Sequence, residues 1–391
     1  MSTSPISFRA IDVGKRKFQY KIFGTISFLP SGRSLGIVLI SYVVHPFLIT
    51  EQELNKATHT NPFECLEMVQ VFLDLGYAVD VIHFENKVFL PKKAYAMLVD
   101  IHKNIERLTP FLLATCIKLH YITGAHWLFH NKSEYQRLAD LQRRRGVTLL
   151  PHRTVQPSKN IEYADQLAGL GNALIHGTYA YAQKPIYSLP LAFATIFPSL
   201  EKSLKERSHK HFVWIGGGGA VHKGLDLVLE CFKHMPEYDL TICGPVPSEP
   251  DFVDLYRKEL YETPNIHLVG RINVRGAQFQ EIVNKAVAII YPSCSEGTPG
   301  SVVTAMYAGL IPIVSKEAGI DVHDFGFLLE ENSLSEIIRR VKQVSELADD
   351  ERVQMSLRAK MYAEEHFTRQ KFYEAFKKLV SGPLSTNIRL L

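Results

Sequence analysis

At 391 residues the chain exceeds what one ordinary core fills, and its 46% hydrophobic and 21% charged residues suit a globular protein of two α/β domains and exclude general disorder. A formal charge of +4 is too small to point to nucleic acid. Cys65, Cys116, Cys231, Cys243 and Cys294 lie far apart, which excludes a disulfide framework or a zinc site and implies a reducing compartment. Lys15-Arg16-Lys17 and Arg143-Arg144-Arg145 are local basic runs that suit anionic lipids or acidic glycans, against the plainer reading of a solvated surface.

Residues 1–35 read as a polar N-terminal arm. The apolar run 36–50 is too short to span a bilayer comfortably and holds His45 and Pro46, so it reads as a first strand and its exit loop. Residues 61–76 form a helix opened by Asn61 and Pro62 and closed by Gly76. A strand over 77–84, a helix over 94–108, a strand over 117–123 and a charged helix over 133–145 follow. Residues 147–150, a helix around 161–168, and 173–176 continue the alternation. The proline-bearing stretch from Lys184 to Glu206 marks the domain connection.

A second alternating series starts with a strand over 211–215, a helix over 224–232 and a strand over 238–243. A helix over 251–261, a strand over 266–269, and strands over 285–291 and 311–315 flanking a short helix at 301–308 complete it. Helices over 335–347, 352–366 and 368–379 end the chain, long enough to cover one domain and cross back to the other. The expected fold is α/β, two doubly wound Rossmann-like domains facing an interdomain cleft. Its units are the arm 1–35, a domain over 36–190, a linker over 191–210, a domain over 211–365, and a crossover helix and tail over 366–391.

Two stretches carry chemistry. Gly216-Gly-Gly-Gly-Ala-Val-His-Lys-Gly224 follows a strand: Gly217, Gly218 and Gly219 permit close backbone approach to a phosphate, and the Lys223 ammonium neutralises a diphosphate leaving group. It is not the dinucleotide fingerprint, since it lacks that glycine pattern and the downstream acid, and it is not a P-loop, because Lys is followed by Gly. The plain alternative is a tight turn capped by a solvated Lys. In Tyr291-Pro-Ser-Cys-Ser-Glu-Gly-Thr-Pro-Gly-Ser-Val-Val-Thr304, Glu296 can accept from sugar hydroxyls, and Gly297, Thr298, Gly300, Ser301 and Val302 can offer backbone donors at a helix N-terminus. An acidic loop with a helix cap is the alternative.

Arg271 at another strand end can grip phosphate. His126 can reach the cleft from the first domain, with Trp127 and His130 as alternatives on the same segment. His59, Thr60 and Asn61, before a helix, are candidate contacts with acceptor or diphosphate, and Trp127 with the acceptor, although Asn61 serves equally as a cap. No Ser, His and Asp constellation stands out.

On these motifs the chain resembles the retaining, two-domain nucleotide-sugar glycosyltransferases of the family-four type, with the GT-B fold, over essentially residues 36–366. Lys223-Gly224 matches the pair that contacts donor phosphate, and Glu296 matches the first glutamate of the donor-sugar loop. The family's second glutamate falls at Thr304, kept here among the donor contacts, and its glycine-loop arginine falls at Gly218. His126 resembles the histidine near the donor sugar. The resemblance implies a UDP- or GDP-linked sugar donor, no cofactor and no required metal, with donor capture by the second domain and a glycan or lipid-linked acceptor in the first. It implies a retaining front-face substitution with His126, Lys223 and Glu296 as catalytic groups, and cytoplasmic work at the inner membrane face in cell-surface polysaccharide or glycoconjugate synthesis. The other readings are a nucleotide-sugar epimerase or hydrolase, and a noncatalytic nucleotide-sugar or glycan-binding protein.

Overall fold

The computed structural model of the chain describes residues 13–54, 59–193 and 204–388. The first half builds a seven-stranded sheet from β1 (Ile26–Phe28), β2 (Ile37–Tyr42), β3 (Ala78–His83), β4 (Met97–Asp100), β5 (Ile117–Ile122), β6 (Gln166–Gly169) and β7 (Ile186–Ser188), in the order β1-β3-β2-β4-β5-β6-β7. Every pair is parallel except β1 with β3. The second half builds a wholly parallel six-stranded sheet from β8 (His211–Ile215), β9 (Asp239–Cys243), β10 (Ile266–Gly270), β11 (Ala288–Tyr291), β12 (Ile311–Ser315) and β13 (Phe327–Leu329), in the order β10-β9-β8-β11-β12-β13. Strand order reverses beside β2 in one sheet and beside β8 in the other, and such switch points open a crevice at the carboxyl ends of the strands.

Several expectations are corrected. Residues 94–108 are not one helix. Met97 to Asp100 are buried between β2 and β5 as a central strand, and the Asp100 carboxylate then accepts from the amides of Asn104 and Ile105 (2.7 and 3.0 Å), starting the short helix Asn104–Leu108. Burial between neighbouring strands overrides the helix preference of Ala, Met and Leu. The helix around 161–168 is Asn160–Tyr163 followed by β6. The expected polar arm contains a helix, Val13–Phe23, and the antiparallel edge strand β1; residues 1–12 of it lie outside the described residues. Residues 194–203 of the expected linker also lie outside them, and Ile186–Ser188 joins the first sheet as its edge.

The last helix, Arg369–Ile388, packs on the helix Asn61–Asp74 of the first half. Arg369 pairs with Glu67, the Tyr373 hydroxyl donates to Asp74 (2.6 Å), and Phe376 meets Phe72 edge-on at 5.6 Å.

The charged helix is longer than expected, Trp127–Arg145, and it leaves its own sheet. Its Leu138 and Leu141, with Leu149 beyond it, pack into the core of the second half. Arg144 pairs with Asp226 and Glu230 (2.5 and 3.0 Å), and Arg145 with Glu259 (3.0 Å). Two members of the basic run read as a lipid or glycan patch are therefore spent inside the molecule. The alternation expected at 147–150 is absent: these residues form no strand, and Leu149 alone of them packs into the second half.

Candidate active site

The loops that follow β8 and β11, the two strands flanking the switch point of the second sheet, meet in one polar node. Lys223 ion-pairs with Glu296, and its ammonium also donates to the Tyr291 hydroxyl (2.8 Å). Tyr291 in turn donates to Glu296 (2.9 Å), as does the Ser293 hydroxyl (3.3 Å). Side-chain exposure is only 8% for Lys223 and 13% for Glu296, so both charges sit where water screens them weakly. Burial pushes the Glu296 carboxyl upward, but Lys223, His222 and Arg153 outweigh it and hold the group at about 2. Glu296 is thus a fixed carboxylate at the carboxyl edge of a parallel sheet.

Beneath this node the helix Trp127–Arg145 lays a polar stripe on the second half. His222 faces the Glu134 carboxylate with Nδ1 (2.6 Å) and the Ser295 carbonyl with Nε2 (2.6 Å). Nε2 therefore donates to the carbonyl, while Nδ1 shares a proton with the Glu134 carboxylate. Burial raises the Glu134 carboxyl, and the bonds from His222 and from the amides of His152 and Arg153 more than reverse this. Cys294 brings its sulfur within 3.4 Å of His222, and Glu134, His222 and Cys294 are ligand-type groups within 4.8 Å of one another. A metal there would have to displace the proton that joins His222 to Glu134. Burial and the neighbouring His222 charge push His130 down to about 4. Its neutral ring donates Nε2–H to the Arg153 carbonyl, and Nδ1 accepts from the Ser295 hydroxyl (3.1 Å). Arg137 donates to the Pro292 carbonyl (2.9 Å).

The two halves touch at the same loops. A Cβ on Gly297 would strike the Thr123 carbonyl, so only glycine lets the loop after β11 reach the loop after β5. The Gly171 amide donates to the Thr298 hydroxyl (3.0 Å), and Asn172 donates to Asp321 (2.8 Å).

The expected site residues divide. Lys223, Glu296, Gly297 and Thr298 converge at the node and the contact between halves. Gly217 and Gly218 are exposed on the first loop, whereas the amides of Gly219 and Ala220 are taken by the buried Glu249 carboxylate (2.6 to 3.2 Å). Gly300 and Ser301 begin the helix Gly300–Tyr307, but the Val302 amide is bonded to the Pro299 carbonyl (3.0 Å), and the buried Thr304 hydroxyl donates to the Gly300 carbonyl (2.7 Å). The Val302 amide and the Thr304 hydroxyl are thus spent within the helix. Arg271 is exposed after β10. His59 lies near enough to Arg271, Lys223 and Arg153 that these charges, after partial burial, hold its imidazole below the usual range. Thr60 faces Gly300, and the Asn61 side-chain oxygen is buried with no hydrogen-bond partner among the described residues.

His126 is not brought to the node. It caps its helix by accepting from the Leu128 amide (3.3 Å), and it sits among Trp127, Tyr179 and Tyr181. Trp127 donates to the Ser158 carbonyl (3.1 Å). His130, one turn on, is the histidine that contacts the loop after β11. Sequence reasoning missed Glu134, Arg153, His222 and Glu249. The available signal was the spacing of His130, Glu134, Arg137, Leu141 and Arg144, which share one helix face and read as a solvated stripe.

Residues 209–346 match the family described as glycosyl transferases group 1. No curated protein matches the sequence. Among solved structures, S. aureus TarM in complex with fondaparinux, α-GlcNAc-glycerol and UDP aligns at 13% identity with TM-score 0.52, over 73% of this chain and 55% of TarM. This chain thus spans little more than half the length of TarM. Sucrose-phosphate synthase from Thermosynechococcus elongatus aligns at 12% identity with TM-score 0.60, over 90% of this chain and 99% of that one. Anabaena HepE in complex with UDP and glucose aligns at 11% identity with TM-score 0.56, over 90% and 99%. At these identities the likeness is one of fold, and it establishes two Rossmann-like halves in a GT-B-like architecture, with a glycosyl transferases group 1 match confined to the second half.

Proposed function

We propose that the chain is a glycosyltransferase that moves a sugar from a nucleotide-sugar donor to a glycan or lipid-linked acceptor, with retention of anomeric configuration. The observation that carries this reading is the buried Lys223, Glu296 and Tyr291 node at the switch point of the second sheet. A donor diphosphate placed over the loop after β8 meets the Lys223 ammonium, with Arg271 and His59 nearby. The developing leaving-group charge is then stabilised by groups already in position. Glu296, ionised and fixed, accepts from the hydroxyls of the transferred sugar. The Gly300 and Ser301 amides at the start of Gly300–Tyr307 add backbone donors. No protein nucleophile is invoked: the leaving diphosphate takes the acceptor proton as the new bond forms on the same face. The similarity to glycosyl transferases group 1 and the UDP in the TarM and HepE complexes support a nucleotide-sugar donor.

The same proposal places the protein at an anionic membrane face. Among the described residues no helix is long and apolar enough to cross a membrane. Helix Val13–Phe23 exposes Phe18, Ile22 and Phe23 beside exposed Lys15, Lys17 and Lys21, a combination that suits the lipid headgroup boundary.

The test is a transfer assay with UDP- and GDP-sugars against glycan and lipid-linked acceptors, with the anomeric configuration of the product read by NMR. A retained product supports the proposal. An inverted product contradicts the stereochemistry, sugar release without an acceptor favours a hydrolase, and donor binding without turnover favours a binding protein.

A further inference from the structure

Arg153 stands on the loop after β8 although it comes from the first half of the chain. Its peptide is fixed from both sides: Glu134 accepts from its amide (3.2 Å), and His130 donates to its carbonyl. The side chain then runs across the glycine loop. A Cβ on Gly219, which has φ +89°, would collide with Arg153 Cγ and Cδ, so the missing side chain at Gly219 is what admits the arginine stem. The guanidinium itself makes no hydrogen bond or ion pair with the described residues, and its charge reaches Glu296 and His59. The amides of Gly219 and Ala220, on the same loop, are already held by Glu249. An anion on this loop is therefore left to the exposed Gly217 and Gly218 backbone and to side-chain cations.

We propose that Arg153 is the phosphate-gripping guanidinium of this chain, delivered across the interface onto a glycine loop that carries no arginine of its own. The inference rests on the donor-site reading above and deepens it. A planar guanidinium offers a forked, two-bond grip on phosphate oxygens that the Lys223 point charge cannot reproduce. Because Glu134 and His130 orient Arg153, the grip forms only where the interface helix is docked on the second half.

The test is calorimetric titration of the full chain with UDP, GDP and inorganic pyrophosphate, with uridine and guanosine as phosphate-free probes. Arg153→Ala is expected to weaken the bound nucleoside diphosphate and pyrophosphate about tenfold or more, and to leave the matching nucleoside within about twofold. Arg153→Lys is expected to recover part of the loss, and Gly219→Ala to reproduce it by evicting the stem. Because Arg153 is exposed, Arg153→Ala should melt with the wild type. If Arg153→Ala binds diphosphates as wild type does while Lys223→Ala fails to, the inference falls and the donor site stands. Equal loss of nucleoside and diphosphate marks a purely structural role and also overturns it. No binding of any diphosphate by the wild type overturns both readings.

Discussion

The two glycine-bearing loops of the second sheet look alike in sequence and differ in what holds them. The loop after β8 is braced from within its own half by Glu249 on the Gly219 and Ala220 amides, and across the interface at His222 by Glu134, and it leaves Gly217 and Gly218 exposed. The loop after β11 is braced across the interface, by Thr123 against Gly297, Gly171 on Thr298, His130 on Ser295 and Arg137 on Pro292. On the proposed donor-site reading, the first loop meets the phosphate. On the same reading the second loop meets the sugar, and its contacts with the first half tie sugar handling to closure and exclusion of water.

Breaking the link between the loops should have the largest effect. His222 belongs to one loop, the Ser295 carbonyl to the other, and Glu134 pairs with the His222 ring that joins them. Glu134→Gln breaks this buried pair, and should cost about 3–5 kcal/mol in denaturant unfolding. A loss below about 1 kcal/mol, as an exposed pair would give, would contradict the buried pair.

A finer cut separates the loops themselves. Gly297→Ala drives a methyl into the Thr123 carbonyl and should lower transfer turnover on the order of a hundredfold, while UDP affinity by calorimetry stays within about threefold. Parallel loss of both would mean that the loops are one unit.

Acid sharpens the comparison next. Glu296 is held near 2 against a usual 4.5, so the folded carboxyl lies below its unfolded value. Its stabilisation is fully present above the unfolded value and is lost as pH falls toward 2. The stability gap between wild type and Glu296→Gln should therefore shrink from pH 4.5 to 2 in acid unfolding curves, and a constant gap would refute the pairing. Smallest of all is Gly218→Ala, whose Cβ meets only the Glu249 carboxylate, at 3.8 Å; it should change unfolding stability by less than about 0.5 kcal/mol.

The second half was legible because its motifs follow strand ends in chain order: a strand, a glycine loop with Lys223, then a strand and an acidic turn with Glu296. Local pattern and final position coincide there. The first half was harder to read. Met97 to Asp100 carries no strand signal of its own and becomes one through neighbours on both sides. The helix Trp127–Arg145 reads as a solvated charged helix because its buried face is polar. That face meets Asp226, Glu230, His222 and Pro292 more than 80 residues away, and no local period announces such partners. His126 was the expected histidine because it follows a strand end, and it became the helix cap, leaving His130 to face the loop. Arg153, in an irregular stretch with no motif around it, is visible only once Gly219 is seen to make room for it.

The most direct measurement is calorimetric titration of UDP, GDP, ADP and CMP, followed by the matching nucleotide sugars, on the wild type and Lys223→Ala. The account predicts saturable binding of one nucleoside diphosphate and its sugar, lost in Lys223→Ala. Absence of binding across the whole series, or binding that Lys223→Ala leaves unchanged, would contradict the donor site.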